Sequence, residues 1–109
     1  MAKRSKEVER KWLVPKLPAL YKFKHVKIVQ GYLPGVESGT EVRVRREDKK
    51  YFETIKIGNG LERDEMEVEL SKKQFKVLWP ITRGRRLAKT RYKISYKGKK
   101  IELDIYHRN

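Results

Sequence analysis

Hydrophobic and polar residues alternate along most of the chain, with a period close to two residues. This alternation is typical of β-strands that bury one face and leave the other polar. Gly, Pro, Asn and Asp punctuate the alternating runs at the expected turns. The pattern predicts seven strands at residues 7–14, 26–33, 41–46, 51–57, 61–70, 85–95 and 100–106. Short connections between most of them favour an antiparallel meander.

One helix is predicted between the fifth and sixth strands. Ser71 is a favourable N-cap, and Phe75, Leu78 and Trp79 follow at helical spacing. Pro80 should end or distort this helix because proline lacks a backbone N–H donor. The length of 109 residues suits one domain, residues 1–109, of the mainly β (α+β) class.

The polar side of each predicted strand is largely charged, and the sign of the charge is segregated. Arg43 and Arg45 alternate on one strand, and Lys89 and Arg91 alternate on another. Carboxylates alternate on a third, at Glu65, Glu67 and Glu69. A sheet with one solvated face explains the alternation but not the segregation. If the sheet curls into a barrel, acids would face bases, and the lumen could hold a metal ion and a polyanion together.

The first predicted strand carries Glu7, Glu9 and Lys11 at alternate positions, so they would share one face. Hard divalent cations take oxygen ligands, and lysine binds phosphate as a point charge. Taken alone, this segment is explained more simply as an edge strand with a solvated, charged face.

The net charge is +15, which favours polyanionic partners such as phosphate compounds or nucleic acid. Residues 71–100 hold twelve Lys or Arg and no acid, so RNA binding is one hypothesis. The sequence has no cysteine, which excludes disulfides and thiolate metal sites and makes the cytoplasm the expected compartment. No apolar run approaches the length of a membrane span, and no membrane partner is expected.

Several short motifs occur in a fixed order along nearly the whole chain. The first is Glu7-Val8-Glu9-Arg10-Lys11, which has the form ExExK. The later ones are Gln30-Gly31-Tyr32-Leu33, Val42-Arg43-Val44-Arg45, Thr54-Ile55-Lys56, Arg63-Asp64-Glu65-Met66-Glu67, Leu78-Trp79-Pro80 with Gly84-Arg85-Arg86, Lys89-Thr90-Arg91-Tyr92 and Glu102-Leu103-Asp104-Ile105-Tyr106. In this order they resemble the CYTH domain of the triphosphate tunnel metalloenzymes, especially the short bacterial inorganic tripolyphosphatases.

The resemblance implies an antiparallel, tunnel-like β-barrel in which basic residues bind a triphosphate and acidic residues hold Mg²⁺ or Mn²⁺. It implies catalytic roles for Glu7, Glu9, Lys11 and Lys56. The implied phosphate-binding residues are Lys11, Arg43, Arg45, Lys56, Lys89 and Arg91. The implied metal ligands, direct or through water, are Glu7, Glu9, Glu65, Glu67 and Asp104.

Members of that family continue into an eighth strand, which has a further acidic pair, and a C-terminal helical segment. This sequence carries neither, so we expect a barrel of about seven strands with one helix. Such a chain is a fragment, or closes its barrel by forming a homodimer, or is a reduced binding module. The leading hypothesis is metal-dependent hydrolysis of inorganic tripolyphosphate or a nucleoside triphosphate. The alternatives are a non-catalytic polyphosphate- or nucleotide-binding module and RNA binding through the basic surface.

Overall fold

Seven antiparallel strands form one sheet in the computed structural model, which describes residues 2–8, 13, 19–59 and 61–107. The strands are β1 (Ala2–Val8), β2 (Lys24–Tyr32), β3 (Thr40–Glu47), β4 (Lys50–Ile57), β5 (Glu62–Leu70), β6 (Arg86–Tyr96) and β7 (Lys99–His107). Their order across the sheet is β1-β5-β4-β3-β2-β6-β7. Helix α1 (Lys72–Leu78) follows β5 and continues into a 3₁₀ turn, Trp79–Thr82, and a second 3₁₀ turn, Leu20–Lys22, precedes β2. No helix in these ranges is both long and apolar enough to cross a bilayer.

The first strand differs from its prediction. A strand was expected at residues 7–14, but β1 is Ala2–Val8, and Leu13 is irregular and 98% exposed. The partner strand explains the earlier start, because the residues from Ala2 to Val8 all pair with β5, from Val68 to Glu62. Residues 9–12 and 14 of the predicted strand lie outside the described residues.

The meander prediction is right for the β2–β5 hairpins and for β6–β7 but wrong at two places. β1 pairs with β5, and β6 pairs with β2 rather than with β5. The segment between β5 and β6 explains the second difference. Helix α1 contacts β4 and β5, the 3₁₀ turn contacts β2, and together they carry the chain across one face of the sheet.

Helix α1 begins and ends as its sequence predicts. The Ser71 hydroxyl accepts a hydrogen bond from the Gln74 backbone N–H at 3.1 Å, and the Gln74 side chain accepts one from the Ser71 N–H at 2.8 Å. This reciprocal capping box satisfies two amide donors at the start of the helix. Phe75 is buried, with its ring centroid 4.9 Å from that of Tyr51 on β4. The helix therefore packs on the sheet through this aromatic contact.

Gly31 allows the 3₁₀ turn to lie directly on β2. A Cβ atom at residue 31 would stand 2.4 Å from the Oγ1 atom of Thr82, closer than any real contact. Thr82 is fully buried, and its hydroxyl donates to the Trp79 carbonyl at 2.7 Å. Only glycine fits this position without moving the turn away from the sheet.

The two faces of the sheet differ in chemistry. Directly paired residues point to the same face, and the cross-strand register assembles nearly all the predicted charged positions on one side. We call this side the charged face; α1 and the 3₁₀ turn cover the other. Lys56 and Lys89 on the charged face are each only 6% exposed. Lysines on a flat, solvated sheet would be far more exposed, so the sheet curls around this face into a half-barrel. Within the described strands no ladder joins β1 to β7, so the barrel predicted from sequence is open on that side.

Candidate functional site

The charged face has acids and bases opposite one another on neighbouring strands. Lys56 on β4 pairs across the sheet with Glu65 on β5, and Arg91 on β6 pairs with Asp104 on β7. β2 lies between the two groups and separates β3 from β6. The face therefore consists of two clusters, one on β3–β5 and the other on β6–β7.

The β6–β7 cluster is centred on Asp104. Its carboxylate accepts hydrogen bonds from the Lys89 Nζ atom at 2.8 Å and from the Arg91 Nε and Nη2 atoms at 2.8 and 3.0 Å. Glu102 lies 3.5 Å from the Arg91 guanidinium but is largely exposed. Bidentate arginine contacts of this length are strong charge-assisted hydrogen bonds. Asp104 therefore fixes the positions of two cations.

The pKa values in this cluster follow from burial and these bonds. Burial alone would raise the pKa of Asp104, but the hydrogen bonds from Arg91 and Lys89 outweigh it and lower the pKa below its ordinary value. The hydrogen bond to Asp104 raises the pKa of Arg91. Burial lowers the pKa of Lys89, although the bond to Asp104 opposes that shift.

The β3–β5 cluster is held more loosely. Arg45 lies 3.4 Å from Glu67 and 3.7 Å from Glu47, and Lys56 lies 3.9 Å from Glu65. Arg43 is 3.8 Å from Glu41. The contacts of Arg43 exceed hydrogen-bond length, and those of Arg45 are at or beyond its limit. These two guanidinium groups have donors available for another acceptor.

Unsatisfied donors are the clearest sign of a ligand site in this cluster. The Nε atoms of Arg43, Arg45 and Arg63 are buried and have no hydrogen-bond partner among the described residues. Burial lowers the pKa of Arg45. A buried donor without a partner is costly, and each such group in a native structure calls for an explanation. Oxygen atoms of a bound anion would satisfy these donors.

Two residues of β2 line the strip between the clusters. The Gln30 side-chain amide donates to the Tyr32 hydroxyl at 2.6 Å, and Gln30 is buried. Gln30 pairs with Arg45, and Tyr32 pairs with Arg43. This hydrogen bond fixes the Tyr32 side chain beside the loosely held arginines.

The chain matches the CYTH domain over residues 5–107. The chain belongs to the CYTH family. The resemblance read from the sequence motifs is thereby confirmed, and so is the mainly β fold.

A curated CYTH relative from Nitrosomonas europaea, named inorganic triphosphatase, is 41% identical over 101 residues. The aligned region covers 92% of this chain and 66% of that protein, so the chain spans about two thirds of the relative's length. Two crystal structures of a protein called NE1496 match with a TM-score of 0.58 and 30% identity. One describes it as a hypothetical protein, the other as an inorganic triphosphatase, and they cover 99% and 96% of this chain and 68% and 66% of theirs.

This CYTH domain brings the described phosphate-binding candidates to one face. Arg43 and Arg45 lie on β3, Lys56 on β4, and Lys89 and Arg91 on β6, all on the charged face. The remaining candidate, Lys11, lies outside the described residues, as does Glu9.

The metal-ligand candidates are divided between strands β1 and β5 at one end of the sheet and β7 at the other. Glu65 and Glu67 share one face of β5, and Glu7 on β1 stands opposite Arg63, two residues before Glu65. Asp104 lies at the other edge of the sheet, on β7. No three acidic or histidine side chains come close enough to hold a metal within the ranges whose side chains are described. The carboxylates on β5 have the right donor chemistry for Mg²⁺ or Mn²⁺, whereas Asp104 already accepts three cationic hydrogen bonds.

Sequence reasoning missed two participants in the β3–β5 cluster. Thr54 is fully buried and donates its hydroxyl to Glu67 at 3.2 Å. Arg63 lies 3.6 Å from Glu41 across two strands. Both could have been found by parity, because Thr54 lies two residues before Lys56 and Arg63 two before Glu65.

Proposed function

We propose that this CYTH domain binds a triphosphate on the charged face and hydrolyses a phosphoanhydride bond, with inorganic tripolyphosphate or a nucleoside triphosphate as substrate. The observation that carries the proposal is that the buried Nε donors of Arg43 and Arg45 have no hydrogen-bond partner among the described residues. The inorganic triphosphatase relative supports the same substrate class.

The cations would act by positioning and charge stabilisation. Hydrolysis of a phosphoanhydride places increasing negative charge on the leaving oxygen atoms, and catalysis depends mainly on fixed donors near that charge. Arg43, Arg45 and Lys56 would bind one part of the triphosphate. Lys89 and Arg91, already fixed by Asp104, would bind another without having to be ordered first.

Glu65 and Glu67, together with Glu7 and Glu9, are the proposed ligands of Mg²⁺ or Mn²⁺. A bound divalent cation would supply neutralisation of phosphate charge and activation of a water molecule. Asp104 would contribute directly or through water, since its carboxylate accepts three of the roughly four hydrogen bonds it can take and only one of them is on Oδ1. The proposed catalytic set is Glu7, Glu9, Lys11 and Lys56.

Phosphate release and binding should be measured separately. Purified protein is incubated with tripolyphosphate, ATP, GTP or thiamine triphosphate, with Mg²⁺, Mn²⁺ or EDTA. We expect metal-dependent phosphate release from at least one substrate. Turnover in none of these mixtures would refute hydrolysis.

Binding is tested by calorimetry in EDTA with the Arg43→Gln/Arg45→Gln double variant. Losing two charge-assisted donors should weaken tripolyphosphate binding by more than about tenfold. The matched control is Arg83→Gln/Arg85→Gln, which removes the same charge from exposed positions of a loop. Equal weakening in both variants would show that only net charge matters.

Two other functions give different results in these experiments. A non-catalytic binding module would bind tripolyphosphate without releasing phosphate. Such a result would agree with the described side chains, in which no three acidic groups lie close enough together to hold a metal. RNA binding would show steep salt dependence and insensitivity to changes on the charged face. Within the basic stretch 71–100, Lys89 is only 6% exposed on the charged face, which puts it out of reach of an external RNA backbone.

A further inference from the structure

A second cavity lies on the other side of the sheet, away from the charged face. It has a volume of about 340 Å³ and lies between helix α1, the following 3₁₀ turn and strands β2 to β4. Its walls include three aromatic residues and three cations: Tyr51, Phe75, Trp79, Arg46, Lys72 and Lys76. We call this cavity the outer groove.

The outer groove is built from fixed parts. The Phe75 ring lies 4.9 Å from Tyr51 and stacks 5.2 Å from Trp79, centroid to centroid. The Arg86 guanidinium lies 4.3 Å from the Trp79 ring and donates to the Trp79 carbonyl at 2.7 Å. The groove therefore exists before any ligand arrives, which lowers the cost of binding.

The cations of the groove have no acidic partner among the residues whose side chains are described. No ion pair joins Arg46, Lys72 or Lys76 to a carboxylate in the described part of the chain, and all three side chains are exposed. Arg46 donates its Nε–H to the Asp48 carbonyl and lies 6.0 Å from the Tyr51 ring. An apolar, aromatic cavity whose charged lining residues, in the described part of the chain, are all cations is complementary to an apolar anion.

We propose that the outer groove binds a small aromatic anion: one or two rings bearing a carboxylate or phosphate. The ring system packs against Phe75 and Trp79, and the anionic group lies near Lys72 and Lys76. The volume is at the lower end of the range for small-molecule sites, which favours a ligand of this size. The proposal uses no residue of the charged face and does not depend on the proposed hydrolysis.

The test is calorimetry with 2-naphthoate and, as a neutral isostere, 2-naphthamide. We expect 2-naphthoate to bind more tightly than the amide. Its affinity should fall as the salt concentration rises, because the cations at the rim contribute to binding. Lys72→Gln and Lys76→Gln should each lower the affinity for 2-naphthoate by about two- to fivefold and leave the affinity for the amide unchanged. Lys73→Gln removes the same charge from the same helix outside the cavity lining and should change neither.

A competition experiment separates the outer groove from the charged face. At constant ionic strength, excess tripolyphosphate should leave 2-naphthoate binding unchanged. Displacement by tripolyphosphate, equal affinity for acid and amide, or equal loss in the Lys73→Gln control would each overturn the proposal. A protein that shows no binding of 2-naphthoate, even if it binds an acidic peptide in the same calorimetric assay, would overturn it too.

Discussion

Replacing Asp104 with Asn removes the carboxylate that fixes Lys89 and Arg91. The side chain keeps its shape, but the three hydrogen bonds from Lys89 and Arg91 lose their anionic acceptor, and the NH2 group that replaces one oxygen accepts none. Each hydrogen bond to a charged group contributes about 1.5–3 kcal/mol, and breaking a fully buried pair costs about 3–5 kcal/mol. The Asp104 side chain is 17% exposed and that of Arg91 22%, so solvent reduces the effect.

We therefore expect Asp104→Asn to lower the free energy of unfolding by about 2–4 kcal/mol. For a domain of this size, that corresponds to a fall in Tm of roughly 8–16 °C. Urea and thermal unfolding followed by circular dichroism measure both quantities. The control is Glu102→Gln, since Glu102 is 3.5 Å from Arg91 and 56% exposed and should cost about 0.5 kcal/mol or less.

The effect should also depend on pH. The pKa of Asp104 is lowered from its ordinary value of 3.8 in the folded protein, so the unfolded chain binds its proton more readily. The stability from this group is complete above pH values near 3.8 and is lost as pH falls through the lower, folded pKa. Wild type and variant should converge in stability as the pH falls below that range. A difference that persists unchanged in acid, or a Glu102→Gln variant as unstable as Asp104→Asn, would refute the reasoning.

Three further outcomes follow from contacts elsewhere in the fold. Gly31→Ala should destabilise the protein by about 1–3 kcal/mol, measured by thermal unfolding, because the new methyl group collides with Thr82. Unchanged stability would mean that the 3₁₀ turn does not lie on β2 as described. Ser71→Ala should cost about 0.5–2 kcal/mol through the lost helix cap, measured by urea unfolding, and a neutral result would contradict the capping box. Tripolyphosphate at one hundred times its Kd should raise the free energy of unfolding by about 2.7 kcal/mol, and the Arg43→Gln/Arg45→Gln variant at the same concentration should lose most of that gain in a thermal-shift assay.

The period-two pattern predicted the charged face well, because parity alone decides which side of a sheet a residue occupies. Arg43, Arg45, Lys56, Lys89 and Arg91 were all assigned to one face before any pairing was known. The start of helix α1 was predicted equally well, because Ser71 and the apolar spacing after it are local signals.

The sequence could not predict which distant strands would pair. Nothing local to β1 indicates that Ala2 will pair with Val68, so the start of this strand was misplaced. The sequence also could not predict the pairing of Asp104 with Arg91, which depends on the register between β6 and β7. The role of Asp104 as a metal ligand stays a prediction. These features depend on contacts between segments far apart in the chain.

The two non-consecutive ladders also bear on how the domain folds. β2 to β5 form successive hairpins, and so do β6 and β7, whereas β1/β5 and β2/β6 join distant segments. Closing a long loop costs entropy before the new contacts compensate for it, so we expect these two ladders to form last during folding. We also expect their amide hydrogens to exchange fastest among the strands, because separating these ladders should cost the least free energy. The β2/β6 ladder brings Lys89 and Arg91 beside Arg43 and Arg45. The two cationic clusters thus belong to separate folding units, and full anion affinity should develop only in the final folding phase.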